Sequence, residues 1–524
     1  MMLTGLKDDI IAGFSVFLLA LPLCLGIAIA SNFPPIAGIF TAIIGGVFAS
    51  CLGSAPLTIK GPAAGLIVMV LGAVHELGQG DIVLGYKLTL AVGVVAALLQ
   101  IGIALSRKAV IAEIIPPFVI HGMLAAIGVI IISKQAYVWA GLEPTSREIL
   151  KLIIEFPGHF LHLNPLIFAI GLLSMAIIIF WPKMKSVALV PSSIALLVVV
   201  IPLSLYFGFS EGYSYSFLGA PYHVGGQNLV NLPSNFLHAI QFPDFSQLLS
   251  VVSLKYIIMF TLIGSIESLL TVCAVDSLSN ANSPAKPPSN LNKDLMATGF
   301  ANLVSACIGG LPMISEIVRS KANIDYGATS VRANFFHGLF LLIAVILIPS
   351  LINLIPLSAL AALLIFVGLR LASPHQFTHA YAVGRDQFVV FMTTFIVTLA
   401  IDLLVGVALG ILVKILIHWI RGHSLAELVS PTICVVVKGD RTIVQIDGSL
   451  TFISFLKVKN VVEKLAKEKR KITISLAEVT YIDHTVMSKI QTLTQQIKDV
   501  ELTIEDNHQL VPFYNHPLSS RGLR

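Results

Sequence analysis

Thr58-Ile59-Lys60-Gly61-Pro62-Ala63-Ala64-Gly65 and, far downstream, Gly309-Gly310-Leu311-Pro312-Met313-Ile314-Ser315 decide how this chain folds. Each stretch lies in a strongly apolar region and interrupts it with Gly and Pro, just ahead of a helical segment too short to span a bilayer. They fall at corresponding places in the two halves of the hydrophobic region. Two broken segments so placed mark an inverted repeat whose half-helices meet near the middle of the membrane. The start of a half-helix leaves backbone N–H groups unpaired and carries a partial positive charge, which together suit an anion. Irregular backbone at that depth is tolerable only where protein or a water-filled cavity covers it. The two breaks therefore read as the binding elements of an anion carrier.

The rest of the chain agrees with a membrane setting. Of its 524 residues 56% are hydrophobic and only 12% charged, against about 25% charged in soluble domains. The short charged start and the apolar run 10–30, with no small-residue cleavage site in evidence, read as a first span that is retained. Cys24, Cys51, Cys273, Cys307 and Cys434 fit no disulfide framework or metal spacing and are expected as buried free thiols. No nucleotide loop, zinc spacing or catalytic triad is present in the sequence, so neither a primary pump nor an enzyme finds support.

At roughly 20 residues per span, fourteen segments are expected, in two sets of seven. The first set is 10–30, 36–53, 58–77, 84–106, 112–138, 164–181 and 186–207. The second is 252–276, 292–308, 311–324, 330–350, 355–372, 386–402 and 403–421. The broken segments are third in each set, and an odd number of spans inverts the second copy. Lys7, Arg107, Lys108, Lys293, Arg370 and Arg421 are among the basic residues that a cytoplasmic N-terminus places inside, against Lys87, Lys134, Arg147, Lys151 and Lys255 outside. That asymmetry puts both termini in the cytoplasm and makes 207–249 an external loop. The stretch 146–162, apolar at helical spacing but charged, is expected along the outer interface. Composition changes near Arg421, so 1–425 is read as the membrane domain and 430–510 as a small soluble domain of order β–β–α–β–α, with 511–524 a disordered tail.

Ionisable groups inside the membrane are expensive, and usually functional. Glu267 lies near the middle of the eighth segment with Thr271 one turn on, on the same face. A carboxylate there either binds Na⁺ with hydroxyl and carbonyl oxygens or takes up a proton; otherwise it is a packing acid neutralised by an arginine. In the tenth segment Ser315 is expected in the first helical turn after Pro312, with Glu316 beside it and Arg319 a turn deeper. Arg319 is expected to hold the anion or to lock one of the glutamates. Gly61, Ala63, Ala64 and Gly65 allow the close backbone approach that a small oxyanion needs. Lys60 is either an anion-attracting charge or a snorkelling surface residue. The candidate anion site is thus Gly61, Ala63, Ala64, Gly65, Pro312, Ser315 and Arg319, with Glu267, Thr271 and Glu316 for coupling.

At these residues the chain resembles the SulP family of anion transporters, from about 6 to 505. The resemblance is carried by Ala20-Leu21-Pro22-Leu23, Lys60-Gly61-Pro62-Ala63, Gly264-Ser265-Ile266-Glu267-Ser268, and Gly309-Gly310-Leu311-Pro312 with Arg319 and Asn323. The C-terminal part resembles a STAS domain. The resemblance implies a core domain of spans 1–4 and 8–11 that carries the anion, a gate domain of spans 5–7 and 12–14, elevator motion of one against the other, and a homodimer. It also implies a sodium site at Glu267, Thr271 and Ser315, although Ile317 lacks the hydroxyl that sodium-coupled relatives have there. The variant 20–28 with Gly310-Leu311-Pro312-Met313-Ile314-Ser315 resembles a bacterial branch associated with carbonic anhydrases. In Tyr481-Ile482-Asp483-His484-Thr485, His484 stands where related antagonist domains carry a phosphorylatable Ser. The expected function is secondary transport in a bacterial inner membrane: bicarbonate uptake with Na⁺ or H⁺. The alternatives are sulfate–proton symport, or a channel or non-transporting sensor working through its STAS domain. No cofactor is expected beyond Na⁺ as coupling ion. The expected partners are the anion, lipid, a second copy and a cytoplasmic protein on the STAS domain, with no nucleic acid.

Overall fold

The computed structural model describes residues 5–107, 109, 115–142, 149–159, 162–184, 191–233, 236–282, 289–422, 431–438, 441–467, 471–487, 489–490, 502–505 and 509–523. The protein is an α-helical membrane protein with a small α/β domain at its C-terminal end. The first half holds α1 (Leu6–Ala30), α2 (Pro35–Cys51), α3 (Ile67–Gly78), α4 (Ile82–Leu105), α5 (Pro117–Ala140), α6 (Ile149–His159), α7 (Pro165–Phe180) and α8 (Ser192–Tyr206). The second holds α9 (Val251–Asn282), α10 (Leu291–Cys307), α11 (Ile317–Asp325), α12 (Arg332–Leu347), α13 (Pro349–Ile352), α14 (Leu357–Leu371), α15 (Pro374–Val383), α16 (Arg385–Ala400) and α17 (Leu403–Ile420). Each of the fourteen expected segments is met by a helix, and among the described residues seven helical stretches are long and apolar enough to cross a membrane. Of the remaining three, α6 is the expected amphipathic segment: Leu152 is buried while Ile153 and Ile154 are exposed. The helices α13 and α15 were not expected.

Local chemistry explains several boundaries. The Asp81 carboxylate accepts from the Val83 and Leu84 N–H groups at 2.9 and 3.0 Å and so starts α4. Asp402 caps α17 by accepting from the Val405 N–H at 2.8 Å. The connection 207–249 holds a hairpin, β2 (Tyr213–Phe217) with β3 (Ala220–Val224), which its polar composition did not announce. The cysteines are free, but Cys51 and Cys434 are exposed, contrary to the expectation that all are buried.

Two compact units divide the chain: 1–112 with 127–371, and 113–126 with 372–524. In the first, α1 and α2 pack on α12, α4 packs on α9 and α10, and α7 packs on α8 and α14. The helices α16 and α17 fall in the unit that holds the C-terminal domain.

The C-terminal domain contains β5 (Thr432–Lys438), β6 (Arg441–Leu450), α18 (Phe455–Lys467), β7 (Lys471–Ile482), β8 (Leu502–Glu505), β9 (Leu510–Pro512) and β10 (Arg521–Leu523). Strands β5 and β6 are antiparallel, and β6 runs parallel to β7. Phe455, Val458 and Val462, one face of α18, are buried against the sheet core of Val444, Ile474 and Ile482. The disordered tail expected over 511–524 is corrected. Arg521 and Gly522 pair with Ile482 and Tyr481, and β10 pairs with β9, so the end of the chain closes the sheet. The backbone groups at the end of β7 need a partner, and β10 supplies it. The helix expected near 485–498 lies largely outside the described residues.

Lys414, inside the apolar α17, is 1% exposed. Its ammonium donates to the Asp483 carboxylate at 2.7 Å and to Gln387 Oε1 at 3.0 Å. Gln387 in turn donates to Asp386, which pairs with Arg421 at 3.1 Å. Arg421 also donates to the Tyr481 hydroxyl at 3.1 Å. The last two long helices and the end of β7 thus share one polar network within the second unit.

Candidate anion site

The two breaks meet, but not as two bare helix starts. Residues Lys60–Pro62 form a strand, β1, and Met313–Ser315 another, β4. They pair antiparallel, Lys60 opposite Ser315, Gly61 opposite Ile314 and Pro62 opposite Met313. Glu316 continues the contact, its N–H donating to the Ile59 carbonyl at 2.8 Å. Ser315 is therefore in a strand, and α11 begins only at Ile317. The expectation that Pro312 and Ser315 open a helical turn is corrected: backbone left unpaired by each break finds its partner in the other.

Side chains from surrounding helices fix this small sheet. Thr41 of α2 accepts from the Leu311 N–H at 2.7 Å. Asn302 of α10 accepts from the Met313 N–H at 2.6 Å and donates to its carbonyl at 3.0 Å. Ser268 of α9 accepts from the Ser315 N–H at 3.1 Å. Ser320 accepts from the Ile59 N–H at 2.9 Å, and Asn323 donates to the Leu57 carbonyl at 3.0 Å. Gly309, at φ +94°, makes the bend that a Cβ would resist.

Lys60 is neither a snorkelling residue nor an open anion attractor. It is fully buried, and its ammonium donates to Asp294 and to the Ser315 hydroxyl, both at 2.6 Å. Asp294 also accepts from the Ala55 N–H at 2.7 Å. Asp294 was missed in the sequence, although a buried lysine demands a carboxylate and α10 is otherwise poor in charge. Ser315 is engaged by Lys60 and, at 3.1 Å, by Ser268. Its hydroxyl beside an ammonium does not suit a sodium ion, which leaves Glu267 and Thr271 of the expected set.

What remains beside the β1–β4 pair is polar and unsatisfied. Arg319, 1% exposed, donates from Nη2 to the Pro62 carbonyl at 3.0 Å, while Nε and Nη1 have no partner among the described residues. A Cβ at Gly61 would lie 2.5 Å from Nη1, so the guanidinium holds its present place against the break because residue 61 is glycine. Glu267, 8% exposed, leaves Oε1 without a partner. A Cβ added to Gly65 would lie only 2.7 Å from its Oε2. Ala63 is buried, and Ala64 and Gly65 enter the short 3-10 turn Ala64–Leu66 that precedes α3, where first-turn N–H groups lack intrahelical partners. Thr271 is buried one turn beyond Glu267. His337 of α12 is fully buried, and neither ring nitrogen has a partner among the described residues. A guanidinium with free donors packs on Gly61, and a carboxylate with an unpaired oxygen packs on Gly65, four positions along the same break: a candidate cradle for a small anion beside a group able to exchange a cation or proton.

Gly65→Ala tests the closeness of that arrangement. Its methyl collides with the Glu267 carboxylate, so gradient-driven uptake should fall at least about tenfold, about 1.4 kcal/mol. Gly102→Ala, in a helix with open space around it, should leave uptake unchanged. Equal uptake by the two variants would separate Glu267 from the cradle.

Residues 6–394 match the model of the sulfate permease family, and 432–509 match that of the STAS domain. A putative sulfate transporter of Bacillus subtilis, YvdB, is 25% identical over 366 residues, 69% of this chain and 64% of its own. The bicarbonate transporter BicA of Synechocystis is 24% identical over 364 residues, 70% and 61% of the two chains. The chain thus spans a little under two thirds of the length of these relatives. Among solved structures, the transmembrane domain of a cyanobacterial bicarbonate transporter BicA superposes with a TM-score of 0.62 at 23% identity, over 78% of this chain and 98% of that one. The murine anion transporter Slc26a9 in its inward-facing state gives 0.69 at 14% identity, over 96% and 86%. These likenesses extend the fold over nearly the whole chain.

Proposed function

The chain belongs to the sulfate permease family, and from that premise we propose that it is a secondary active transporter taking up bicarbonate together with Na⁺ or H⁺. The observation that carries this reading is the buried Glu267 carboxylate, unpaired and packed on Gly65, in the same cradle as the free donors of Arg319. A pore has no need of an exchangeable charge beside its anion; a coupled carrier does. The anion sits between the Ala64–Leu66 turn and β4, and spans 1–4 and 8–11 carry it past the gate in an elevator movement. The transporter works as a homodimer in a bacterial inner membrane with both termini cytoplasmic, and its STAS domain stabilises the assembly or receives a cytoplasmic partner.

Labelled bicarbonate and sulfate, offered to proteoliposomes with and without a Na⁺ or proton gradient, test this. Bicarbonate should accumulate above equilibrium only under a gradient. Sulfate accumulating with protons would favour sulfate symport instead; YvdB is itself named as a putative sulfate transporter. Flux that merely dissipates the anion gradient would mean a channel, and no flux of either would leave the sensor reading.

A further inference from the structure

Charge in the cradle does not balance in favour of an anion. Lys60 and Asp294 neutralise each other at 2.6 Å. Among the described residues that leaves one guanidinium, Arg319, and two carboxylates, Glu267 and Glu316. Cys24 from α1 and His337 from α12 also lie near Arg319. The anion must therefore bind beside carboxylates.

Glu316 has a particular placement. It occupies the N-cap position of α11, yet its side chain does not cap that helix. Its backbone N–H is held by the Ile59 carbonyl at 2.8 Å, which leaves the carboxylate beside Arg319, three residues on, and near the Ala64 N–H at the start of the 3-10 turn. Those are the features an incoming anion would use, and they lie on both sides of the β1–β4 pair. Arg319 keeps Nε and Nη1 unpartnered while almost fully buried, so a guest can bind without first breaking a hydrogen-bonded salt bridge.

We propose that Glu316 is a charge selector: a tethered carboxylate beside the anion's place that competes for Arg319 and the Ala64 N–H, and by repulsion admits monovalent oxyanions in preference to divalent ones. This rests on the reading that the anion sits between the two breaks. Repulsion by a fixed charge is proportional to the charge of the guest. Whatever factor Glu316 imposes on the affinity of a monovalent anion, it imposes about the square of that factor on a divalent one of similar size.

The test is equilibrium binding of bicarbonate and of sulfate to the purified full-length protein, near pH 8, by calorimetry or ligand-dependent melting. In Glu316→Gln the affinity for sulfate should rise about tenfold and that for bicarbonate about threefold. Glu316→Ser, smaller and uncharged, should follow Gln, whereas Glu316→Asp should keep the wild-type preference. Equal gains for both anions, or no gain, in the uncharged variants would overturn the proposal. Ala64→Phe separates the two levels of inference. If it abolishes binding while Glu316→Gln changes nothing, the selector fails and the site stands. Binding that survives Ala64→Phe removes the site, and the selector with it.

Discussion

Glu267→Gln is expected to abolish gradient-driven accumulation, by about 100-fold or more, while the protein stays folded. Gln keeps the shape of the side chain packed against Gly65 and removes the charge that a coupling ion must neutralise. If the carboxylate serves only coupling, exchange of anion between equal concentrations on both sides should persist after accumulation is lost. A structural acid would behave otherwise. Relieving an unpaired buried carboxylate would then raise the melting temperature and leave uptake intact. Accumulation by Glu267→Gln at the wild-type level would end the assignment of this residue to coupling.

The second large effect is expected at Lys414. Its partners are Asp483 and Gln387, and both charges are essentially inaccessible to water. Lys414→Met leaves a buried carboxylate without its cation, which is worth about 3–5 kcal/mol against the fold. Asp483→Leu alone should cost a similar amount. The double variant Lys414→Met/Asp483→Leu should recover most of the loss, because two apolar side chains need no desolvation. Denaturation of the detergent-solubilised protein measures this, and either single variant melting like the wild type would refute it. The dependence on pH has a definite sign. Burial would raise the Asp483 carboxyl, but Lys414, helped by His418 and a hydrogen bond from Lys414, holds it far below the ordinary carboxylate range. A depressed folded value means that the stabilisation is fully present above about pH 4, the unfolded carboxylate range, and is lost only as pH falls further. Between pH 6 and 8 the difference between wild type and double variant should stay flat. Deleting everything after Arg421 removes Asp483 together with its domain, so such a truncation should be made in the Lys414→Met background.

How much of this was legible depends on the range over which the signal acts. Span count and the two breaks are local: hydropathy over about 20 residues and Gly/Pro punctuation reveal them. Glu267 and Arg319 were legible because charge in an apolar stretch is conspicuous. The pairing of β1 with β4 was not, since each strand is three residues long and becomes a strand only on meeting the other. Lys60 was conspicuous, but its partner lies 234 residues away, and nothing in either neighbourhood distinguishes a buried pair from a snorkelling side chain. Ser315 illustrates the same limit: Pro312 ahead of it is a sound helix-start signal, overridden by the other break. The end of the chain was misjudged because β10 is too short to declare itself without β7.

The separation of the two breaks also bears on how the protein is made. Ser315 and Lys60, which bond to each other, stand 255 positions apart in the chain. A ribosome adding about 5–20 residues per second delivers the second break some 13–50 seconds after the first. For most of that interval Lys60 lacks Asp294, and to its end it lacks Ser315, while the backbone of Gly61 and Pro62 lacks Met313 and Ile314. Lipid cannot satisfy an unpaired strand or a bare ammonium. The nascent 58–77 stretch must therefore wait at the aqueous interface or within the insertion machinery, and slide into the bundle only when its counterpart arrives. Translation through codons 60–315 becomes a period of vulnerability, in which slowing the ribosome should lengthen exposure to membrane proteases without altering the finished protein.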